Sequence, residues 1–194
     1  SEDTVNVTIN NCTSPPAPKG CDINAINTAF AATGYYTPLN VSGQQCSLYF
    51  IDTRDQDAAS AEASANALGA HTVVMNDATE NANVTAALNA GGYLAGGAKV
   101  WIGIKRTGTG ASTFYPLDGS YGAFTPNVVT PGVYQNFNGG EPNNSGYHNY
   151  CALGFGTCNT CIGQNKTNCQ QGEQCVQIYS SGFWNDESCT GNDA

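Results

Sequence analysis

The chain has 194 residues, with six Lys and Arg against fifteen Asp and Glu, so its formal net charge at pH 7 is -9. This length suits one domain that can bury a sizeable core. With so few cations, the chain is not a nucleic-acid binder and is unsuited to an anionic membrane surface. No apolar run approaches the roughly 18 residues that a membrane-spanning helix needs.

Nine cysteines and a charged content of only 11% point to the compartment of the protein. The polar surface must be built from Asn, Thr, Ser and Gly, as is common in secreted proteins. Many cysteines in such a chain indicate disulfides formed in an oxidising, extracellular environment. Because nine is odd, at least one cysteine has no partner within the chain. We therefore expect a secreted or cell-surface protein.

Residues 1–20 form a first segment, with a strand predicted at 4–9 from its alternation of apolar and polar residues. A proline-rich stretch at 14–18 follows as a stiff linker. The main domain is expected to span residues 21–194, opening with a short helix that Asp22 caps.

The rest of the chain alternates short strands with two further helices and then becomes rich in Gly, Asn and Pro. The predicted elements are strands at 46–51, 71–75 and 99–105, helices at 56–68 and at 79–89 (the latter capped by Thr79), a long loop region at 107–150, and a final hairpin at 175–185. This pattern predicts an α+β fold: two main helices with small antiparallel sheets, plus the N-terminal strand and short helix.

Three oxygen-rich segments stand out near the C-terminus. They are Glu141-Pro142-Asn143, Glu173-Gln174-Cys175-Val176 and Trp184-Asn185-Asp186. Calcium takes six to eight oxygen ligands from carboxylates and amide carbonyls, and these segments offer both. A cis proline at 142 would turn its two neighbouring side chains toward one point. We predict a calcium site formed by Glu141, Asn143, Glu173, Asn185 and Asp186.

The order of these segments resembles the C-type lectin-like domain. The match also includes Trp101-Ile102-Gly103 and the stretch from Ala67 to Asn81, and it covers about residues 46 to 189. In that family the Glu-Pro-Asn version accompanies calcium-dependent binding of sugars with equatorial vicinal hydroxyls. The resemblance thus implies glycans of the mannose, glucose, N-acetylglucosamine or fucose type as partners.

The resemblance also assigns roles to the side chains. Two adjacent sugar hydroxyls would bind calcium and also hydrogen-bond to Glu141, Asn143, Glu173 and Asn185, with the amides donating and the carboxylates accepting. It implies an N-terminal disulfide between Cys21 and Cys46. A disulfide between Cys175 and Cys189 would close the final hairpin. Trp101 and Trp184 are expected in the core.

Residues 144–172 are an insertion relative to the family, which usually has only a few residues between Asn143 and Glu173. The insertion is rich in cysteine and lies beside the predicted sugar site, which it would fence, extend or block. We expect two disulfides among its cysteines, with a zinc site or a redox motif as alternatives: Cys151, Cys158, Cys161 and Cys169.

A second departure concerns the family's long disulfide. Ala65 stands where the helix cysteine is expected, and the sequence ends before the strand that would carry its partner. The sheet edge left in this way is a pairing template, which the strand at 4–9 would fill in the same chain or in a neighbour. Cys12, the remaining cysteine, is then available for an intermolecular bond. The alternative function is therefore a self-assembling subunit of an extracellular filament, with the lectin-like fold as scaffold.

An enzyme requires a nucleophile and base, a phosphate-binding loop, or paired acids in a known frame. The chain has only two histidines and no glycine-rich loop of that kind after a strand, and its best-placed acids belong to the predicted calcium site. We expect a binding protein in surface adhesion and no enzymatic activity.

Overall fold

The structure is a computed structural model that describes residues 23–43, 47–108, 111–144 and 173–189. Those residues form α1 (Ile23–Ala32), β1 (Tyr36–Leu39), β2 (Tyr49–Asp52), α2 (Ala58–Asn66), α3 (Ala78–Ala90), a 3₁₀ turn (Ala95–Gly97), β3 (Val100–Arg106), β4 (Phe114–Pro116), β5 (Cys175–Ile178) and β6 (Trp184–Glu187). The predicted strand at 4–9 lies outside the described residues, as do Cys12, Cys21, Cys46, Cys151, Cys158, Cys161 and Cys169.

Both longer helices begin at an aspartate. The side chain of Asp57 accepts a hydrogen bond from the Ser60 N–H at 2.7 Å, which caps α2. Asp77 caps α3 by accepting from the Glu80 N–H at 2.8 Å. The prediction that Thr79 caps α3 is therefore wrong by two residues, since the carboxylate three residues before Glu80 reaches the free N–H of the first turn.

The strands form two antiparallel sheets. β1 pairs with β2, and a four-stranded sheet has the order β4-β3-β5-β6. Within it Val176 of β5 lies opposite Asp186 of β6, and Ile102 of β3 lies opposite Val176. This register places the acidic end of the final hairpin next to the end of β3, where the candidate site lies.

The α+β prediction is confirmed, with three helices and small antiparallel sheets in the part of the chain that the structure describes. The predicted strand at 71–75 is wrong. The segment is buried and runs beside β3, and the Gly103 N–H donates to the Val73 carbonyl at 2.7 Å, but it joins no ladder. A side chain at Gly103 would collide with the Thr72 carbonyl oxygen, since a Cβ there would lie 2.5 Å from it. β1 and β4 were not predicted.

The apolar side chains form two cores. The larger lies between α3 and the four-stranded sheet, and it includes Trp184, which is 0% exposed. The smaller lies under α1, where Phe30 stacks on Phe50 with ring centroids 4.1 Å apart. Ala65, at the position of the expected helix cysteine, is buried in this smaller core. At position 65, apolar packing in the smaller core therefore takes the place of the cysteine that the family resemblance predicts.

The long loop region is held against β6 and the larger core. The Asn138 N–H donates to the Trp184 carbonyl, and the Trp184 N–H donates to the Asn136 carbonyl, both at 2.9 Å. Phe137 packs on the Trp184 ring at 5.6 Å between centroids. The prediction that both tryptophans belong to the core is confirmed, with Trp101 1% exposed. None of the helices within the described ranges is long and apolar enough to cross a bilayer.

Candidate functional site

The site begins where the long loop region reaches β6. The Glu141–Pro142 peptide bond is cis. The next two backbone N–H groups, of Asn143 and Asn144, donate to the two carboxylate oxygens of Asp186 at 3.0 and 2.9 Å. Residues more than 40 positions apart in the chain, in the Glu-Pro-Asn and Trp-Asn-Asp segments, are therefore in direct contact.

Asp186 is also the partner of a buried cation. The Arg106 Nη2 group lies 2.5 Å from Asp186 Oδ2, and the two side chains are 5% and 0% exposed. The carboxylate thus accepts three N–H donors, one of them charged. A fully buried carboxylate requires such partners, because burying an unpaired charge is very costly.

Arg106 joins three separate parts of the chain. Besides its bond to Asp186 on β6, it donates through Nε to the Glu173 carbonyl at 2.9 Å and through Nη1 to the Ala111 carbonyl. Its guanidinium lies 4.4 Å above the centre of the Phe114 ring. Burial lowers the pKa of Arg106, and the charges of Asp186 and Glu173 act in the opposite direction.

Glu141 is partly exposed and lies beside Asp186. Burial and the neighbouring Asp186 carboxylate raise the pKa of Glu141, while hydrogen bonds from Asn143 act to lower it. Two carboxylates this close repel each other when both are ionised. A positive charge placed next to Glu141 would relieve that repulsion.

Glu173 and Asn185 complete the predicted set. Glu173 is 5% exposed and precedes β5, where its backbone carbonyl binds Arg106. Asn185 is 6% exposed, lies next to Asp186 on β6 and is opposite Gln177 of β5. Its side chain takes no part in the hydrogen bonds that join the loop to Asp186. The structure therefore gathers Glu141, Asn143 and Asp186 directly, and Glu173 through Arg106.

The donor set has the chemistry that calcium requires. All five side chains offer oxygen ligands, and calcium accepts carboxylates and amide carbonyls in flexible geometry. Beside them, the Asn144 Oδ1 atom is buried and has no hydrogen-bond partner among the described residues, so it is a further candidate oxygen ligand. Arg106 offsets one of the three carboxylates, and the remaining two negative charges match one divalent ion.

The acidic side chains do not form a metal site by themselves. Within the described ranges, no three Asp, Glu, His or Cys side chains form a group that could hold a metal ion. The Asp186 carboxylate binds Arg106 and two backbone N–H groups instead. A calcium ion would therefore have to share the Asp186 carboxylate with these N–H donors or displace them.

One predicted disulfide falls within the described residues, and it is confirmed. Cys175 at the start of β5 is bonded to Cys189 just beyond β6. It holds the hairpin that carries Asn185 and Asp186, while the Cys189 carbonyl accepts from the Ala58 N–H at 3.0 Å. The final hairpin is thereby attached to α2.

Arg106 was missed by the sequence analysis, which ended the strand one residue earlier. Two features of the sequence could have indicated Arg106. The chain has only six Lys and Arg, and Arg106 directly follows a strongly apolar predicted strand. An arginine at such a position is a candidate for a buried ion pair.

No known protein-family model and no curated protein matches the chain. Among solved structures, the carbohydrate-recognition domain of the mouse scavenger receptor C-type lectin is 20% identical over 70% of this chain and 75% of its own, with a TM-score of 0.44. The corresponding human domain is 18% identical over 79% of this chain and 87% of its own, with a TM-score of 0.49. Both identities are below 25% and both TM-scores are below 0.5, so neither similarity says what this protein binds.

Proposed function

We propose that this protein is an extracellular, calcium-dependent carbohydrate-binding module. Its binding site is the surface between the loop at Glu141–Asn144 and strand β6. Its role is recognition of glycans at or near a cell surface, in adhesion, without catalysis.

One observation carries this proposal: the hydrogen bonds from the Asn143 and Asn144 N–H groups to Asp186. They bring together two short segments that the long loop region and the final hairpin supply separately. The two segments that they join carry the oxygen-bearing side chains of Glu141, Asn143, Asn185 and Asp186.

The five residues would bind the ion, and four of them would also hydrogen-bond to the sugar. Glu141, Asn143, Glu173, Asn185 and Asp186 would hold the ion. Bound calcium supplies a Lewis-acidic centre to which two neighbouring sugar hydroxyls can coordinate. The Asn143 and Asn185 amides donate to those hydroxyls, and the Glu141 and Glu173 carboxylates accept from them.

The order of these groups supports the sugar class. Glutamate at 141 and asparagine at 143 set a fixed pattern of acceptor and donor, which suits the equatorial vicinal hydroxyls of mannose, glucose, N-acetylglucosamine and fucose. A ligand whose hydroxyls point elsewhere would pair with fewer of these donors and acceptors, and it should bind more weakly. Exchanging the glutamate and the asparagine should therefore change the preferred sugar.

The test is calcium titration by calorimetry, followed by a glycan array with and without EDTA. Glu141→Gln is the informative variant, because Glu141 is partly exposed and the change removes one charge with little change in shape. We expect calcium to bind at least about tenfold more weakly, since affinity follows the number of charged ligands. Asp55→Asn, which removes the same charge from an exposed position between β2 and α2, is the matched control.

Two results would contradict the proposal. One is the absence of calcium binding by the unmodified protein. The other is glycan binding that is equal with EDTA and with calcium, which would retain a carbohydrate-binding module but exclude its dependence on the ion.

A further inference from the structure

Arg106 is a buried cation in contact with the elements of the candidate site. It donates to the side chain of Asp186 and to the backbone carbonyls of Glu173 and Ala111. These acceptors lie on β6, before β5 and after β3. A planar guanidinium with five N–H donors can hold three such acceptors at once, which a lysine ammonium on a flexible stem does less well.

Asp186 in turn holds the loop. Its two oxygens accept the Asn143 and Asn144 N–H groups, and one of these oxygens also accepts Arg106. The path from Arg106 to the loop therefore passes through a single buried carboxylate. If Asp186 lost its charged partner, the carboxylate would be buried with only the two loop amides to compensate its charge.

The bonds to Asp186 come from the protein itself, from Arg106 at the end of β3 and from the loop at Asn143–Asn144. The Arg106–Asp186 ion pair is almost completely shielded from water. Screening by salt is weak for a pair this deeply buried, so the attraction persists at ordinary ionic strength.

We propose that Arg106 is a positioning residue: a built-in cation that holds Glu173, Asp186 and the loop at Asn143–Asn144 in place before calcium binds. The ion then enters a site whose backbone is already ordered. This inference adds a role for Arg106 to the proposed binding site, but its test requires neither calcium nor sugar.

The test measures amide hydrogen exchange by NMR, on the full chain in excess EDTA. In the unmodified protein the Asn143 and Asn144 amides should be protected, because both donate to a buried carboxylate. Arg106→Gln removes the charge and should speed their exchange by about tenfold or more. Amides of the β1–β2 sheet, which is separate from the sheet that carries Arg106, should keep their protection and so show that the domain remains folded.

Lys105→Gln is the matched control, since it removes one positive charge from the neighbouring residue of β3. In this variant the Asn143 and Asn144 amides should exchange at the same rate as in the unmodified protein. Arg106→Lys is the second variant, used if Arg106→Gln fails to fold. It keeps the charge but cannot hold all three acceptors, so exchange at Asn143 and Asn144 should still be faster.

The inference is overturned if these amides are unprotected in the unmodified protein without calcium, or if the Arg106 variants leave their exchange unchanged. It can also be separated from the proposed function. Protection that depends on Arg106, in a protein that binds neither calcium nor glycans, would uphold the inference and reject the function. Calcium-dependent glycan binding with unprotected amides would do the reverse.

Discussion

Two regions of this molecule are held together by opposite means. Under α1, the small core consists of aromatic and alanine side chains, with Phe30, Phe50 and Ala65 almost completely buried. At the far end of the other sheet, the loop at Asn143–Asn144 is joined to the domain by polar contacts around the Arg106–Asp186 ion pair.

The two regions should lose stability in different ways when a side chain is substituted. Apolar contacts are non-directional and numerous, so a core loses stability in proportion to the volume removed. A buried polar network depends on a few directional bonds, and removing one member leaves the others buried without partners. The polar region should therefore be the more sensitive of the two, although it contains fewer side chains.

The largest effect is expected for Asp186→Asn. The change keeps the side-chain shape but removes the charge that compensates Arg106, which stays buried. Breaking a buried ion pair in this way costs about 3–5 kcal/mol in free energy of unfolding. Urea unfolding, followed by tryptophan fluorescence, measures it.

Asp55→Asn serves as the comparison for this variant, since Asp55 is exposed and its replacement should leave the free energy of unfolding nearly unchanged. If the two variants were equally stable, the ion pair would not hold this region.

Phe30→Ala tests the apolar region. Phe30 is 2% exposed and contacts both Tyr36 and Phe50 through its ring. Truncation opens a cavity, and we expect a loss of about 3 kcal/mol, at the low end of the range for phenylalanine because α1 lies at the edge of the domain.

Phe183→Ala provides the reference for the same change of side chain, because Phe183 is 43% exposed. Thermal unfolding of both variants, recorded by circular dichroism, gives the difference. A loss at Phe183 as large as that at Phe30 would show that burial under α1 contributes little.

The smallest effect at neutral pH is expected for Tyr49→Phe. The Tyr49 hydroxyl donates to the Glu80 carboxylate at 2.7 Å, so its loss should cost about 1–2 kcal/mol. Burial, and then Glu80, raise the pKa of Tyr49. The folded state therefore holds the phenol proton more tightly than the unfolded chain, in which the pKa is about 10.

It follows that this contribution to stability is fully present below about pH 10 and is lost as the pH rises above it. The unmodified protein should lose more stability between pH 9 and pH 11 than Tyr49→Phe does. Unfolding free energies at the two pH values test this, and parallel losses in both proteins would contradict it.

Much of the fold was predictable from local patterns. The sequence predicted α1, α2 and α3 within a few residues, along with strands at β2 and β3 and the final hairpin of β5 and β6. The segment at 71–75 shows the limit of this reasoning. It is apolar because it is buried against β3, and burial alone does not make a strand.

The candidate site likewise contains residues that the sequence identifies and one that it does not. Its oxygen-bearing residues could be named from their order in the sequence, and the contact of Asn143 with Asp186 agrees with that grouping. Arg106 could not be assigned, because its three acceptors include two backbone carbonyls, which no side-chain pattern reveals. Such partners are fixed only by the way the strands meet in space.

One consequence of the Arg106–Asp186 pair concerns tolerance to changes in length. Asn144 and Glu173 flank residues 145–172 on either side, and both are bonded to this same pair. The described residues on either side of that segment are therefore held together by one ion pair. Since each doubling of a loop costs only about 0.6 kcal/mol in closure entropy, joining these two ends by a shorter or longer segment should cost the domain little stability.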